Sequence, residues 1–254
     1  IMKVCVIANQ KGSIGKTTTA TALASILAER GYRTLFIDAD KQGNSSDTYR
    51  ADIEGVPTLY DVLLDDDRIP LADAIQATLC GDIVASDPLL RKADKILYDD
   101  VEGLYRLQDA LQNLKGYDYV VIDTNPSIDA MLKSCLIACD EVIIPITADR
   151  YALQGLSQLH EMIQAIKRRQ NPNLKIAGLL LVKYDRRTNL SKEVKESLER
   201  VVDHLDTRLF HTKIRESIRA REAQAKRLML IQYQKNCTTA ADYEHFVDEL
   251  LKGE

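Results

Sequence analysis

No apolar run in the sequence reaches the roughly 18 residues that a membrane-spanning helix needs. The first residues, Ile1-Met2-Lys3-Val4-Cys5, lack the charged and apolar regions of a secretory signal and start like a strand. The Ile ahead of Met2 reads as an addition to a chain that begins at Met2. There is no internal repeat, no low-complexity tract and no Pro/Gly/Ser linker. The six prolines are scattered singly, which argues for one domain over 1–254. Cysteines are few and odd in number: Cys5, Cys80, Cys135, Cys139 and Cys237 fit no disulfide or zinc spacing. Cys135 and Cys139, four apart, share a helix face and read as core thiols, with a cluster-ligand pair as the alternative. A reducing cytoplasm suits all five. Charge of one sign is also scarce. The net charge of −4 argues against a uniformly basic nucleic-acid binder but leaves room for a local basic face. What is present is ordinary: 254 residues, 45% apolar and 28% charged, enough for one large or two small globular domains and too apolar for global disorder.

Buried-strand runs alternate with helical periodicity. Val4–Ala8, Thr34–Ile37, Asp82–Ala85, Tyr119–Ile122, Glu141–Ile146, Ile176–Val182 and Thr207–Phe210 read as strands. Helices fall between them: Thr17–Arg30 stopped by Gly31, a stripe through Tyr151, Leu153, Leu156, Leu159, Ile163 and Ile166, and another through Val194, Leu198, Val201 and Val202. Nearly continuous Val/Ile/Leu strands, each followed by a helix, predict an α/β fold with a doubly wound, mostly parallel sheet covered on both faces. The last helix places Tyr243, Phe246, Val247, Leu250 and Leu251 on one face and Asp242, Glu244, Asp248 and Glu249 on the other. Anionic lipid would repel that acidic face, so the helix reads as core packing and not as a membrane anchor.

The strongest signal is Lys11-Gly12-Ser13-Ile14-Gly15-Lys16-Thr17-Thr18, between the first strand and the first helix. Exposed amides at a helix N-terminus, with the dipole favouring an anion, make this a phosphate loop. Gly12 and Gly15 let the backbone wrap phosphate oxygens, Lys16 reaches the β and γ phosphates, and the Thr17 hydroxyl suits magnesium. A glycine-rich turn without nucleotide is the plain alternative. The ordinary loop has a further glycine where Gln10 stands; here a lysine directly precedes Gly12. This arrangement resembles the deviant Walker A motif of the ParA/MinD ATPases, a class of P-loop NTPases. The resemblance makes Lys11 the signature lysine that reaches the partner subunit's ATP across a dimer interface, a cation delivered in trans. Ser13 replaces a usual glycine, which costs on the order of 1 kcal/mol if the position needs positive φ.

Two acidic strand ends extend the resemblance. Asp38-Ala39-Asp40-Lys41-Gln42-Gly43-Asn44 is similar to the family's first switch, Asp-x-Asp-Pro-Gln-Gly-Asn, which makes Asp40 the residue that positions the attacking water and borders the metal. Asp123-Thr124-Asn125-Pro126-Ser127 is similar to Asp-x-Pro-Pro-Ser, which makes Asp123 a magnesium-holding acid. Either aspartate alone could be a helix cap; both at the carboxyl ends of parallel strands make a site. The segments Ile146–Leu156 and Leu181–Thr188 resemble the ParA type, and the basic membrane helix of MinD-like proteins is lacking. Between Leu205 and Lys235 eight bases stand against three acids. Arg215, Arg219 and Arg221 lie where ParA-type proteins carry DNA-contacting bases. Arg187 joins them, with Lys167, Arg168, Arg169 and Arg186 as further candidates. Binding would be to phosphates, without base reading and strongly salt-dependent; a solvated face is the alternative.

The resemblance thus implies a Mg2+- and ATP-dependent ATPase, cytoplasmic and nucleoid-associated in its ATP state. It implies an ATP-driven homodimer, non-specific duplex DNA and a ParB-like adaptor as partners, and no membrane. Two other readings stand beside it: the same cycle applied to another cargo, such as a conjugation complex or protein cluster, and a nitrogenase-iron-protein-like electron carrier, for which Cys135 and Cys139 sit too close together.

Overall fold

The computed structural model describes residues 2–149 and 152–253, so Arg150 and the predicted stripe residue Tyr151 lie outside the described residues. Seven strands form one sheet in the order β3-β4-β2-β5-β1-β6-β7. They are β1 (Lys3–Ile7), β2 (Thr34–Ala39), β3 (Ile75–Thr78), β4 (Gly81–Val84), β5 (Tyr119–Thr124), β6 (Glu141–Thr147) and β7 (Lys175–Val182). All neighbours are parallel except β3, which pairs antiparallel with β4.

The strands read as continuous apolar runs because both faces are covered. Side chains alternate across the pleat. Val4, Val6, Leu35, Ile37, Val120, Ile122, Val142 and Ile144 enter one core layer. Cys5, Ile7, Phe36, Val121, Ile143 and Leu180 enter the other. The first layer is closed by α3 (Leu59–Leu63), α4 (Ala93–Asp99), α5 (Arg106–Gln112), α6 (Ala130–Ala138), α7 (Ala152–Arg169) and Leu198 of α8 (Asn189–Val201). The second is closed by α1 (Lys16–Glu29), Tyr49 of α2 (Asn44–Tyr49), Ala223 of α9 (Ile218–Ala225), α10 (Leu230–Tyr233) and α11 (Thr238–Lys252). This is the doubly wound, mostly parallel α/β sheet of the P-loop NTPases.

Helix α1 ends as its sequence requires. Gly31 takes φ 90°, while Gly31 N–H donates to Ala28 O and Tyr32 N–H to Leu27 O, closing the last turn. Two expectations need correction. Thr207–Phe210 is not a ladder strand: it meets β7 at the isolated bridge Leu179–Leu209, the His211 and Thr212 amides then turn to the Glu249 carboxylate, and β7 is met again only at Ile214 and the Tyr184–Arg215 bridge. Asp242 is not on a solvated face: it is buried beneath Arg215, whose guanidinium it holds with both oxygens.

Candidate functional site

The carboxyl ends of β2, β5 and β1 lie side by side, with Ile7 and Asp38 both in register with Asp123. The loop from Ala8 to Gly15 leaves β1 at this edge. Asn9 fixes its start: the side-chain amide donates to Pro145 O at 2.6 Å, and its carbonyl accepts Lys11 N–H at 3.0 Å. The loop then turns through two left-handed residues, Ser13 at φ 58° and Gly15 at φ 97°. Ser13 thus adopts the conformation in which a side chain costs on the order of 1 kcal/mol. Gly15 caps α1 without a side-chain hydrogen bond, which leaves the first-turn amides open to an anion.

Lys16 is buried, and its ammonium donates to Lys11 O at 3.0 Å. Burial lowers its pKa, against the opposing pull of Asp123 and Asp40. Thr17 Oγ1 donates to Asp123 Oδ2 at 2.7 Å, and Ser45 Oγ donates to the same oxygen at 2.8 Å. Asp123 Oδ1 is buried with no partner. Burial pushes the Asp123 carboxyl up to about 6. Asp38 is pushed up to about 8, first by burial and then by the Asp123 charge. Asp38 accepts the Ser46 N–H and hydroxyl, each at 2.7 Å, and so fastens the start of α2 to β2.

Asp40 follows β2. Its Oδ1 accepts Gln42 N–H at 3.0 Å, and its carbonyl accepts the Ser86 hydroxyl at 2.6 Å. The backbone is therefore fixed while Oδ2 receives no hydrogen bond from the described residues. Lys11 is half exposed, and its ammonium pairs with Asp149 at 2.5 Å.

An orphaned carboxylate oxygen beside a hydroxyl is a hard oxygen donor set, and it fits magnesium. A buried lysine spending its ammonium on a loop carbonyl fits a phosphate. Thr17 and Asp123, with Asp40 nearby, could hold the metal; Lys16 and the amides from Gly12 to Thr18 could hold phosphates. A cavity of about 420 Å3 opens from this loop toward Val182, Ile214, Gln224 and Tyr243, wide enough for the rest of a nucleotide.

The basic residues are more engaged than their sequence suggests. Arg187, Arg215 and Arg221 line one cleft of about 640 Å3, and Arg219 stands outside it. Arg187 is paired with Asp185, Arg215 with Asp242 and Arg219 with Glu222. Arg221 alone of the four carries no ion pair among the described residues. Cys135 and Cys139 are buried thiols held well above the usual range by burial, a poor start for cluster ligation. Among the described residues no group of three or more His, Cys, Asp or Glu is placed to hold a metal by itself. Sequence reading missed Asn9, Ser45, Ser46, Ser86, Asp149 and Lys183, whose ammonium donates to Ser13 O at 2.6 Å. Of these, Asp149 lies in the Ile146–Leu156 segment and Lys183 in the Leu181–Thr188 segment, but neither is singled out there.

A family model described as an AAA domain, AAA_31, matches residues 2–176. The chain is 34% identical over 259 residues to the chromosome partitioning protein ParA of Caulobacter vibrioides, covering 100% of this chain and 95% of that protein. It is 35% identical over 254 residues to the sporulation initiation inhibitor protein Soj of Bacillus subtilis, covering 98% of each. Among solved structures it is similar to cobyrinic acid a,c-diamide synthase of Mycobacterium smegmatis with bound ATP analogue and magnesium. That likeness has a TM-score of 0.86 at 29% identity and covers 99% of this chain and 95% of that one.

Proposed function

The chain belongs to the ParA-type family of partition ATPases, and on that footing we propose that it acts as one ATPase domain that hydrolyses ATP to move DNA. Its cofactors are ATP and magnesium. Bound magnesium supplies charge neutralisation on the phosphates. The chain's own residues do the rest. The loop amides and Lys16 bind the phosphates, Thr17 and Asp123 orient the metal, and Asp40 Oδ2 accepts a proton from, or orients, the attacking water. Lys11 leaves Asp149 and reaches the partner subunit's ATP when two copies close face to face. The ATP-bound dimer binds duplex DNA through phosphate contacts from the basic cleft. A ParB-like adaptor accelerates hydrolysis and returns the chain to a DNA-free form. This places the protein in the cytoplasm, on the nucleoid in its ATP state. Among the described residues no helix is long and apolar enough to cross a membrane.

The observation that carries this reading is the joint placement of buried Lys16, the Thr17–Asp123 hydrogen bond and the unpartnered Asp123 Oδ1 at one loop. Titration calorimetry with Mg-ATP tests it. The parent chain binds and Lys16→Ala loses binding; equal affinity in the two would overturn the loop's assignment.

A further inference from the structure

Two residues without a glycine's freedom take left-handed backbone where the phosphate loop meets the end of β7: Ser13 at φ 58° and Lys183 at φ 51°. They are joined by one charge-assisted hydrogen bond, Lys183 Nζ to Ser13 O at 2.6 Å, across 170 residues of sequence. Lys183 is itself held on both sides. Ile214 N–H donates to Leu181 O at 2.8 Å, and Tyr184 N–H donates to Ile214 O at 2.9 Å. The lysine backbone is therefore anchored to the sheet edge, and the side chain extends from that anchor to the loop. Two strained residues linked to each other at a ligand cleft point to a functional constraint.

The geometry of the peptide unit says what the constraint does. A trans peptide is planar, so the Ile14 N–H points away from the Ser13 carbonyl. A cation that fixes the carbonyl on one side fixes the direction of that N–H on the other. The Ile14 N–H has no hydrogen-bond partner among the described residues. We propose that Lys183 is a positioning residue of the phosphate loop: it holds the Ser13 peptide in its left-handed setting, so that the Ile14 N–H is aimed at the nucleotide before the nucleotide arrives. The lysine offsets what the serine costs, and the two residues act as a pair.

This inference rests on the loop's being a nucleotide site, and one part of its test does not. In the nucleotide-free protein, NMR relaxation at the Ile14 amide reads the positioning directly. The parent has an order parameter near the rigid value of about 0.85, and Lys183→Met falls below about 0.6. Lys183→Arg, which keeps the donor, restores it. An unchanged Ile14 amide in Lys183→Met overturns the inference whether or not ATP binds. Calorimetry supplies the second arm. Lys183→Met weakens Mg-ATP binding roughly tenfold, the worth of one hydrogen bond to a charged group. In a Ser13→Gly background the same change costs about twofold or less, because glycine holds the left-handed setting unaided. A penalty that stays tenfold beside Gly at 13 means that Lys183 acts on the nucleotide itself, and the positioning role falls. Failure of the parent chain to bind Mg-ATP would overturn the functional reading alone, since the amide measurement still decides the role of Lys183.

Discussion

Asp123 and Asp38 are fully buried carboxyls on neighbouring strands, in register, and at Asp123 burial outweighs the favourable charge of Lys16. A charge buried in this way is unfavourable until a counter-ion arrives. Asp123→Asn is therefore expected to raise the melting temperature of the nucleotide-free protein by a few degrees, about 2–4 °C per kcal/mol for a chain of this size. The same variant should lose the extra stability that magnesium adds to ATP. Differential scanning with ATP, with and without magnesium, checks both; a lower melting point with the magnesium gain intact would move the metal role elsewhere. Asp40 differs, because its backbone is pinned while Oδ2 stays open. Asp40→Ala should bind ATP about as well as the parent and hydrolyse it roughly a hundredfold more slowly, the usual range for a lost base. Phosphate release read beside calorimetry separates the two effects, and hydrolysis at the parent rate would shift the role to Asp38. Lys16, Thr17 and Asp123 were legible because glycine, lysine and strand-end acids leave a local pattern. Ser45 and Lys183 were not, since their partners lie 78 and 170 residues away; Ser45 sits in no motif, and the Leu181–Thr188 segment that holds Lys183 says nothing of the phosphate loop.

At the scale of elements, the six parallel strands announced themselves because burial on both faces leaves no polar alternation to confuse the reading. Strand β3 did not: Ile75-Gln76-Ala77-Thr78 is short, only part-buried and antiparallel, and Gln76 turns its amide to Asp52. Thr207–Phe210 misled for the opposite reason. Phe210 is real core and its N–H bonds Leu179 O, but the pairing is interrupted where the His211 and Thr212 amides turn to Glu249. The aromatic edge meets Phe246 at a centroid distance of 5.0 Å, and the room it occupies exists because residue 178 in β7 is glycine. A Cβ there would lie 2.6 Å from the Phe210 ring. Gly178→Ala should destabilise the fold by about 1–3 kcal/mol through overpacking, and Phe210→Leu in the same chain should recover part of that loss. Urea unfolding of the parent and the two variants checks it; a Gly178→Ala protein as stable as the parent would mean that the ring shifts freely.

The whole molecule carries a net charge of −4, so any DNA surface must be local, and the basic cleft is where it would form. Its arginines are not equivalent. Arg215 is bound to buried Asp242 by its side chain and its backbone N–H, and its carbonyl accepts the Thr239 hydroxyl. A glutamate at 215 would face Asp242 and unsettle the start of α11, so loss of DNA binding in that variant would say little about DNA. Arg187 and Arg221 are better probes: both are exposed, Arg187 pairs with Asp185 two residues away, and Arg221, unpaired among the described residues, also borders the nucleotide cavity, so calorimetry must first show that its variant binds ATP. With ATP and magnesium, Arg187→Glu/Arg221→Glu should dimerise like the parent and fail to retard duplex DNA. Milder Arg→Ala changes should lower the slope of log affinity against log salt by roughly 1 for each phosphate contact removed, without regard to DNA sequence. The proposed closure of two subunits would double each contact, so the parent's slope should be steep with ATP and shallow with ADP. Sedimentation establishes the dimer and mobility shifts over a salt series establish the slope. If the double glutamate variant closes normally and still retards DNA at low salt, the cleft is only a solvated face, and DNA must be sought on another surface of the dimer.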